Sequence, residues 1–132
     1  MQSSIDPERV SAEMGFSNFK LPVYAWRAFN KSQNQPQAII LALHGGCLNG
    51  RSFEHLGGKL AKQDLVLVSL DLRGYGKWRT EDFGSKKDRT FDYDKSRKDV
   101  ALVLAHIHSI YPDIPVFCMG ESLGASMSTV IA

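Results

Sequence analysis

Three short runs of apolar residues, separated by longer polar or amphipathic stretches, dominate the hydropathy pattern of this chain. They span Ala38 to Leu43, Leu65 to Leu70 and Val116 to Met119, and none of them alternates between apolar and polar positions. Runs that are apolar on both faces are typical of parallel strands covered by helices on each side. An earlier segment, Lys20 to Phe29, alternates imperfectly and carries Pro22 near its start, so it predicts an outlying strand.

The segments between these runs predict helices and loops. Ser52 to Lys62 predicts one helix, and Lys95 to Ile110 predicts another because its apolar residues recur at helical spacing. The stretch from Gly76 to Asp94 is polar and aperiodic, which favours a solvated surface loop over a functional one. We expect residues 1–18 to form an irregular leader. The order βαβαβα with right-handed crossovers predicts an α/β fold built on a doubly wound, mostly parallel sheet.

Composition, charge and cysteine usage limit the kinds of protein that this chain can be. The 132 residues are 43% hydrophobic and 23% charged, which is typical of one globular domain or part of one. The net charge of +2 comes from interspersed charges, so no nucleic acid or anionic lipid partner is expected. No apolar run approaches the roughly 20 residues of a membrane span, and no signal peptide is evident, which predicts a cytoplasmic protein. Cys47 and Cys118 lack disulfide or metal-site spacing, so we expect reduced thiols and no metal.

A five-residue motif follows the last apolar run. It reads Gly120-Glu121-Ser122-Leu123-Gly124 and precedes a helix-compatible stretch. In this GxSxG setting the serine occupies a tight, strained strand-to-helix turn, and the flanking glycines avoid steric collision. The helix N-terminus also places backbone N–H groups where they stabilise negative charge. We therefore predict Ser122 as a nucleophile, in preference to a glycine-rich turn with a capping serine.

The sequence His44-Gly45-Gly46 follows the run that ends at position 43, and a glycine-rich loop there can bring N–H groups close to a ligand. Acyl transfer needs two such donors for its tetrahedral oxyanion. We assign them to Gly46 and Leu123, although Gly45 and Cys47 flank Gly46 and stay open. His44 is expected to order this loop through hydrogen bonds rather than to act as a general base.

A third motif, DLRGYG at residues 71–76, follows the run that ends at Leu70. Its glycines permit a sharp turn, and we expect Asp71 and Arg73 to form a buried or half-buried pair that clamps the top of the sheet. A binding loop is the less favoured alternative, because neither side chain is an obvious nucleophile or base.

With these motifs in order, the chain resembles the α/β-hydrolase superfamily from about Lys20 to Ala132. The combination of HGG, DLRGYG and PVFCMGESLGAS is similar to the monoglyceride lipase and lysophospholipase-like branch. This resemblance implies cofactor-free hydrolysis of small-molecule carboxylic esters through an acyl-enzyme on Ser122. It excludes the branches with an aspartate nucleophile, whereas thioesterases and proline iminopeptidases stay compatible.

The resemblance also implies an acid and a histidine after the nucleophile, yet the ten residues that follow Ser122 contain neither. His106 and His108 are expected on a half-solvated helix surface. We therefore expect residues 1–132 to be the N-terminal part of a single α/β-hydrolase domain, truncated after the nucleophile helix and inactive alone. Its 116–119 strand would pair with a C-terminal half or self-associate. The alternative is a noncatalytic α/β-hydrolase-like module that binds a second chain.

Overall fold

A computed structural model describes residues 5–28, 35–80 and 82–131, which form a mixed sheet with helices on both faces. The strands are β1 (Val23–Trp26), β2 (Ala38–Leu43), β3 (Leu65–Leu70) and β4 (Val116–Gly120). The α-helices are α1 (Pro7–Glu13), α2 (Glu54–Ala61), α3 (Tyr93–Ile110) and α4 (Leu123–Ile131). Short 3₁₀ turns lie at Phe16–Asn18, Gly50–Phe53, Gly76–Arg79 and Lys86–Arg89.

The sheet has the order β1-β3-β2-β4. Strand β2 pairs in parallel with both β3 and β4, and β1 pairs with β3 in the antiparallel direction. Each of the three apolar runs forms a strand, as predicted, and the outlying strand lies at one end of the sheet. Helices α2 and α3 begin within two residues of their predicted starts. Because β2, β3 and β4 run in the same direction, the loops that follow them meet at one edge of the sheet.

Helices cover the two faces of the sheet unequally. The larger core packs residues of α1, α3 and α4 against one face, and Leu41 and Val68 are fully buried there. On the other face α2 encloses Trp26 and Leu67. Burial on both faces explains why the strands do not alternate, and each large apolar side chain so buried contributes about 1.5–3 kcal/mol.

The cover is thinner at β4. Among the described residues this strand pairs only with β2, where Phe117 lies opposite Ile40. The Phe117 side chain is 59% exposed, and Ile40 is half-buried. Helix α2 packs on β1 and β3 rather than on β4. The apolar residues Phe117 and Ile40 therefore face outward at the β4 end of the sheet.

The expectation of an irregular leader was wrong where the structure describes it. Helix α1 and the following 3₁₀ turn occupy most of residues 5–18, while residues 1–4 lie outside the described residues. The Asp6 carboxylate caps α1 by accepting from the Glu8 N–H at 3.0 Å, and Pro7 stands at the first helical position. An N-cap aspartate followed by proline is a helix-start signal that the sequence carried.

The stretch from Gly76 to Asp94 is also more than a surface loop. The indole N–H of buried Trp78 donates to the Asp71 carbonyl oxygen at 2.9 Å, and Asp88 is buried as well. The Arg73 guanidinium lies 4.0 Å from the centre of the Trp78 ring. The polar composition hid this anchoring, since the buried polar groups satisfy one another. Residue 81 lies outside the described residues.

Within the described ranges, no helix combines the length and apolar character needed to cross a membrane.

Candidate active site

Ser122 lies in the turn between β4 and α4 with a backbone φ of 51°. This left-handed conformation is uncommon for a residue with a side chain and stores about 1–3 kcal/mol of strain. The turn is held by the Glu121 N–H, which donates to the Leu43 carbonyl oxygen at 3.0 Å, and by the Gly124 N–H, which donates to the Glu121 carbonyl oxygen at 2.8 Å. The predicted strained strand-to-helix turn is therefore confirmed, and the Ser122 side chain is exposed.

Both glycines of the motif are required by their surroundings. A Cβ on Gly120 would stand 2.2 Å from the carbonyl carbon of Gly124. A Cβ on Gly124 would stand 2.1 Å from the carbonyl oxygen of Leu43 at the end of β2. Side chains at either position would push α4 off the sheet, which is the collision that the sequence pattern predicted.

The loop after β2 lies against this turn. A Cβ on buried Gly45 would stand 3.5 Å from the Ser122 Cβ and 3.3 Å from the Glu121 carbonyl oxygen. Gly46 follows as an exposed residue, and Cys47 has a φ of 65° that curls the loop back. The structure thus places Gly45 beside the serine that lies 77 residues later in the chain, and Gly46 is the next residue of the same loop.

His44 ties this loop to the segment after β3. Its Nε2 accepts the Leu72 N–H at 3.0 Å, so Nδ1 carries the proton and donates to the Gly45 carbonyl oxygen at 2.8 Å. Burial lowers the pKa of His44, which keeps the ring neutral. Both ring nitrogens are occupied, so the side chain orders the loop and has no free lone pair for a proton from Ser122.

Asp71 does not pair with Arg73, and that prediction was wrong. The buried Asp71 carboxylate accepts from the Tyr24 hydroxyl at 2.8 Å, the Gly50 N–H at 2.7 Å and the Lys77 N–H at 2.9 Å. Burial, assisted by the Asp71 charge, raises the pKa of Tyr24, so its hydroxyl stays protonated and donates. Asp71 therefore clamps the ends of β1 and β3 together, but through backbone donors and a phenol.

Arg73 forms its ion pairs with more distant residues. Its Nε and Nη2 donate to the Asp99 carboxylate at 2.6 and 3.0 Å, and its Nη1 donates to Asp88 at 2.6 Å. Hydrogen bonds to Asp99, with a smaller contribution from Asp88, raise the pKa of Arg73. The Arg73 N–H also donates to the Ser96 hydroxyl at 3.0 Å. The segment after β3 is thereby fixed to α3, on the side of the sheet opposite to the Asp71 contacts.

This cluster predicts a defined pH dependence. Hydrogen bonds from the Ser85 N–H, and then from Arg73, lower the pKa of Asp88 below its ordinary 3.8. A carboxylate with a lowered folded-state pKa stabilises the fold fully above the unfolded value and loses this contribution as the pH falls through the folded value. Asp88→Asn should therefore cost about 1–3 kcal/mol of unfolding free energy at pH 7, and its deficit should shrink below about pH 4.

Urea unfolding of the wild type and of Asp88→Asn, from about pH 7 down to about pH 2.5, measures the difference between their unfolding free energies. Effects of acid that are common to the two proteins cancel in this difference. Asp113→Asn, at an exposed carboxylate, is the matched control and should track the wild type. A deficit for Asp88→Asn that stays constant across the whole range would contradict the ion-pair explanation.

Tyr75 lies next to the loop after β2, and the sequence did not identify it as a site residue. The Tyr75 hydroxyl oxygen lies 3.6 Å from the position that a Cβ on Gly46 would occupy. The Tyr75 ring meets the His44 ring edge to face, with centroids 5.3 Å apart. The only signal in the sequence was an aromatic residue between the two glycines of DLRGYG.

The remaining histidines lie elsewhere. His106 Nε2 is 2.7 Å from the Met14 carbonyl oxygen and its ring packs on Phe16, while His55 and His108 are exposed on α2 and α3. In the part of the chain that the structure describes, no hydrogen bond joins a histidine ring to Ser122. The same part holds no group of three or more histidine, cysteine or carboxylate side chains placed to bind a metal, and both cysteines are unpaired.

Comparisons with known proteins agree with this geometry. The family model described as serine aminopeptidase, S33 matches residues 34–132. A monoglyceride lipase homolog of Monkeypox virus is 28% identical over 109 residues, which is 83% of this chain and 38% of the viral protein. Monoglyceride lipase of Mus musculus is 27% identical over 112 residues, which is 83% of this chain and 34% of the mouse protein. The chain thus spans little more than a third of the length of these relatives.

A solved structure is similar over the same region. The carboxyl esterase of Bacillus coagulans superposes with a TM-score of 0.64 at 22% identity, covering 80% of this chain and 33% of the esterase. At this level of identity the match shows the fold alone, and that fold is the α/β-hydrolase fold.

Proposed function

The chain belongs to the serine aminopeptidase S33 family, an α/β-hydrolase family with lipase and esterase relatives, and we propose that it carries the nucleophile and oxyanion loop of a serine hydrolase acting on carboxylic esters. One observation carries this proposal. Ser122 is held in a left-handed conformation between two obligatory glycines, with its side chain exposed beside Gly45 of the loop after β2. A strained, exposed serine at the carboxyl end of a strand is the arrangement that presents a nucleophile to a carbonyl carbon.

In the proposed reaction, Ser122 Oγ attacks the ester carbonyl carbon, and the π pair moves onto the carbonyl oxygen. Collapse of this intermediate breaks the bond to the alcohol, which departs with the proton that left the serine. Water then attacks the acyl carbonyl carbon, the bond from this carbon to Ser122 Oγ breaks, and the acid departs while Ser122 regains a proton from the water. Neither step calls on a cofactor.

The negative oxygen of the intermediate would be bound by the N–H groups of Gly46 and Leu123. Leu123 is the first residue of α4, so its N–H has no partner within the helix and lies at the positive end of the helix dipole. Across the described turns and loops, neither N–H donates to a backbone carbonyl oxygen. Removing one oxyanion donor typically costs about 100- to 1,000-fold in kcat, so this pair would contribute much of the catalysis.

The proton acceptor has to come from elsewhere. The ten residues after Ser122 include no acid and no histidine, and both nitrogens of the His44 ring are engaged. We propose that the acid and base belong to a further part of the same single-domain hydrolase, since the matched region covers only 38% and 34% of its relatives. Residues 1–132 alone would then be inactive. The unpaired cysteines accord with a cytoplasmic protein.

The free side of β4 is where such a part would attach. Phe117 and Val130 are 59% and 62% exposed, and β4 uses only one of its sides for pairing among the described residues. Open strand edges with exposed apolar side chains associate readily. We propose that a strand of the remaining hydrolase pairs here and that the isolated polypeptide self-associates through this edge.

An aminopeptidase is the second candidate, because the matched family is described by that activity. Attack on an amide would use the same serine and oxyanion donors. The two candidates differ in the substrate that the complete site accepts.

The test uses the complete open reading frame that contains residues 1–132. We expect a fluorophosphonate probe to label it, with mass spectrometry locating the adduct on Ser122. We also expect turnover of a monoacylglycerol and a p-nitrophenyl ester to exceed turnover of an aminoacyl naphthylamide. Residues 1–132 expressed alone should show no turnover above background. Preference for the naphthylamide would favour the aminopeptidase, and a folded protein that neither labels nor hydrolyses would favour a noncatalytic module.

A further inference from the structure

Tyr75 is half-buried, and its backbone is fixed by a hydrogen bond and by the glycines on either side. Its N–H donates to the Leu72 carbonyl oxygen at 3.0 Å, and the glycines on either side have φ values of 91° and 57°. A Cβ on Gly74 would stand 2.4 Å from the Phe91 nitrogen, and one on Gly76 would stand 2.3 Å from the Asp71 carboxylate. The backbone on both sides of Tyr75 therefore has little freedom to move.

Its ring is fixed as well. The His44 ring lies on one side, edge to face at 84°, and the Phe91 ring lies at a centroid distance of 5.9 Å. His44 is itself held at both nitrogens, so the ring that supports Tyr75 cannot rotate. These contacts present the phenol oxygen to the exposed Gly46.

The Tyr75 hydroxyl lies close to Gly46, one of the two proposed oxyanion donors. Its oxygen is 3.6 Å from the Cβ position of Gly46, which lies about 2.5 Å from the Gly46 nitrogen. The phenol oxygen and this nitrogen are thus no more than about 6 Å apart, which is close to the largest separation that two donors to one oxygen can have, about twice 2.9 Å.

We propose that the Tyr75 hydroxyl is a third donor to the substrate's carbonyl oxygen, beside the N–H groups of Gly46 and Leu123. This inference rests on the proposed serine hydrolase mechanism. A donor fixed before the substrate arrives stabilises the developing oxyanion more than the neutral carbonyl, so its loss lowers kcat and leaves KM largely unchanged. If Tyr75 merely supported the loop by packing, its ring would make the contacts. Removal of the hydroxyl oxygen alone would then change kcat little.

The experiment compares Tyr75→Phe with Tyr93→Phe in the complete protein. Tyr93 packs on the same Phe91 ring at 6.4 Å, so its variant removes an identical oxygen from the same aromatic cluster. We expect Tyr75→Phe to lower kcat for a p-nitrophenyl ester about tenfold with KM within about twofold of the wild type, while Tyr93→Phe keeps wild-type kinetics. Both variants should unfold at the wild-type urea midpoint.

A second readout separates a bond to the carbonyl oxygen from loop support. Sulfur accepts hydrogen bonds weakly, so the wild type should prefer an ester to the matching thionoester, and Tyr75→Phe should reduce that preference about tenfold. An unchanged kcat for Tyr75→Phe, alongside an inactive Ser122→Ala, overturns the inference and leaves the proposed function standing. An equal loss in Tyr93→Phe overturns the inference too, and Ser122-independent turnover overturns both.

Discussion

Ser122→Ala in the complete protein is expected to lower kcat for ester hydrolysis by about 10⁴-fold or more and to abolish fluorophosphonate labelling. A nucleophile and its base act as one unit, so loss of the serine leaves only the catalysis by the oxyanion donors and by substrate binding. The methyl group of alanine fits the same turn, because the left-handed φ of 51° is already occupied by a residue with a Cβ. The fold should therefore survive the change.

The control for this prediction is Ser126→Ala. Ser126 lies one turn later in α4, is exposed, and donates its backbone N–H to the Ser122 carbonyl oxygen at 3.2 Å, a bond that alanine retains. Initial rates with a p-nitrophenyl ester, corrected for spontaneous hydrolysis, should be wild-type for Ser126→Ala. Residual turnover by Ser122→Ala within about tenfold of the wild type would rule out Ser122 as the nucleophile.

Gly124→Ala is expected to destabilise the fold by at least about 3 kcal/mol, or to prevent recovery of soluble protein. The new Cβ would stand 2.1 Å from the Leu43 carbonyl oxygen, which is backbone at the end of a buried strand and cannot rotate away. Helix α4 has to separate from β2, and the Met127 side chain that is fully buried beneath it loses its packing. Activity should fall together with stability, because Leu123 and Ser122 move with the helix.

Gly58→Ala provides the comparison for the same chemical change. Gly58 lies within α2, where an added Cβ meets nothing within 4 Å. Alanine in an open helical position should raise the unfolding free energy by about 0.5–1 kcal/mol. The two variants are thus expected to change the unfolding free energy in opposite directions, and urea unfolding curves measure both changes. A Gly124→Ala protein as stable as the wild type would mean that α4 does not pack on β2 in this register.

The pattern of residues along the chain determined the features that depend on local sterics and on hydropathy. Continuous apolar runs predicted β2, β3 and β4 because a strand covered on both faces has no polar side. The strained turn at Ser122 followed from Gly120 and Gly124. The collision that excludes a side chain at Gly120 arises within the motif, against Gly124, whereas the collision at Gly124 is with Leu43 at the end of β2.

Other features were present in the sequence but were not recognised. The capping Asp6 and Pro7 signalled helix α1, yet the segment was expected to be irregular. The polar composition between Gly76 and Asp94 concealed a buried tryptophan, because composition does not reveal whether charged groups meet water or one another.

Only the tertiary structure decided which partners the polar side chains meet. Asp71 and Arg73 are two residues apart, but the chain between them turns their side chains to opposite sides of the sheet, toward Tyr24 and Asp99. The approach of Tyr75 to Gly46 has the same origin, since 29 residues separate them and only the parallel pairing of β2 with β3 brings their loops together. Spacing along the chain carries no information about such contacts, because they depend on which strands become neighbours.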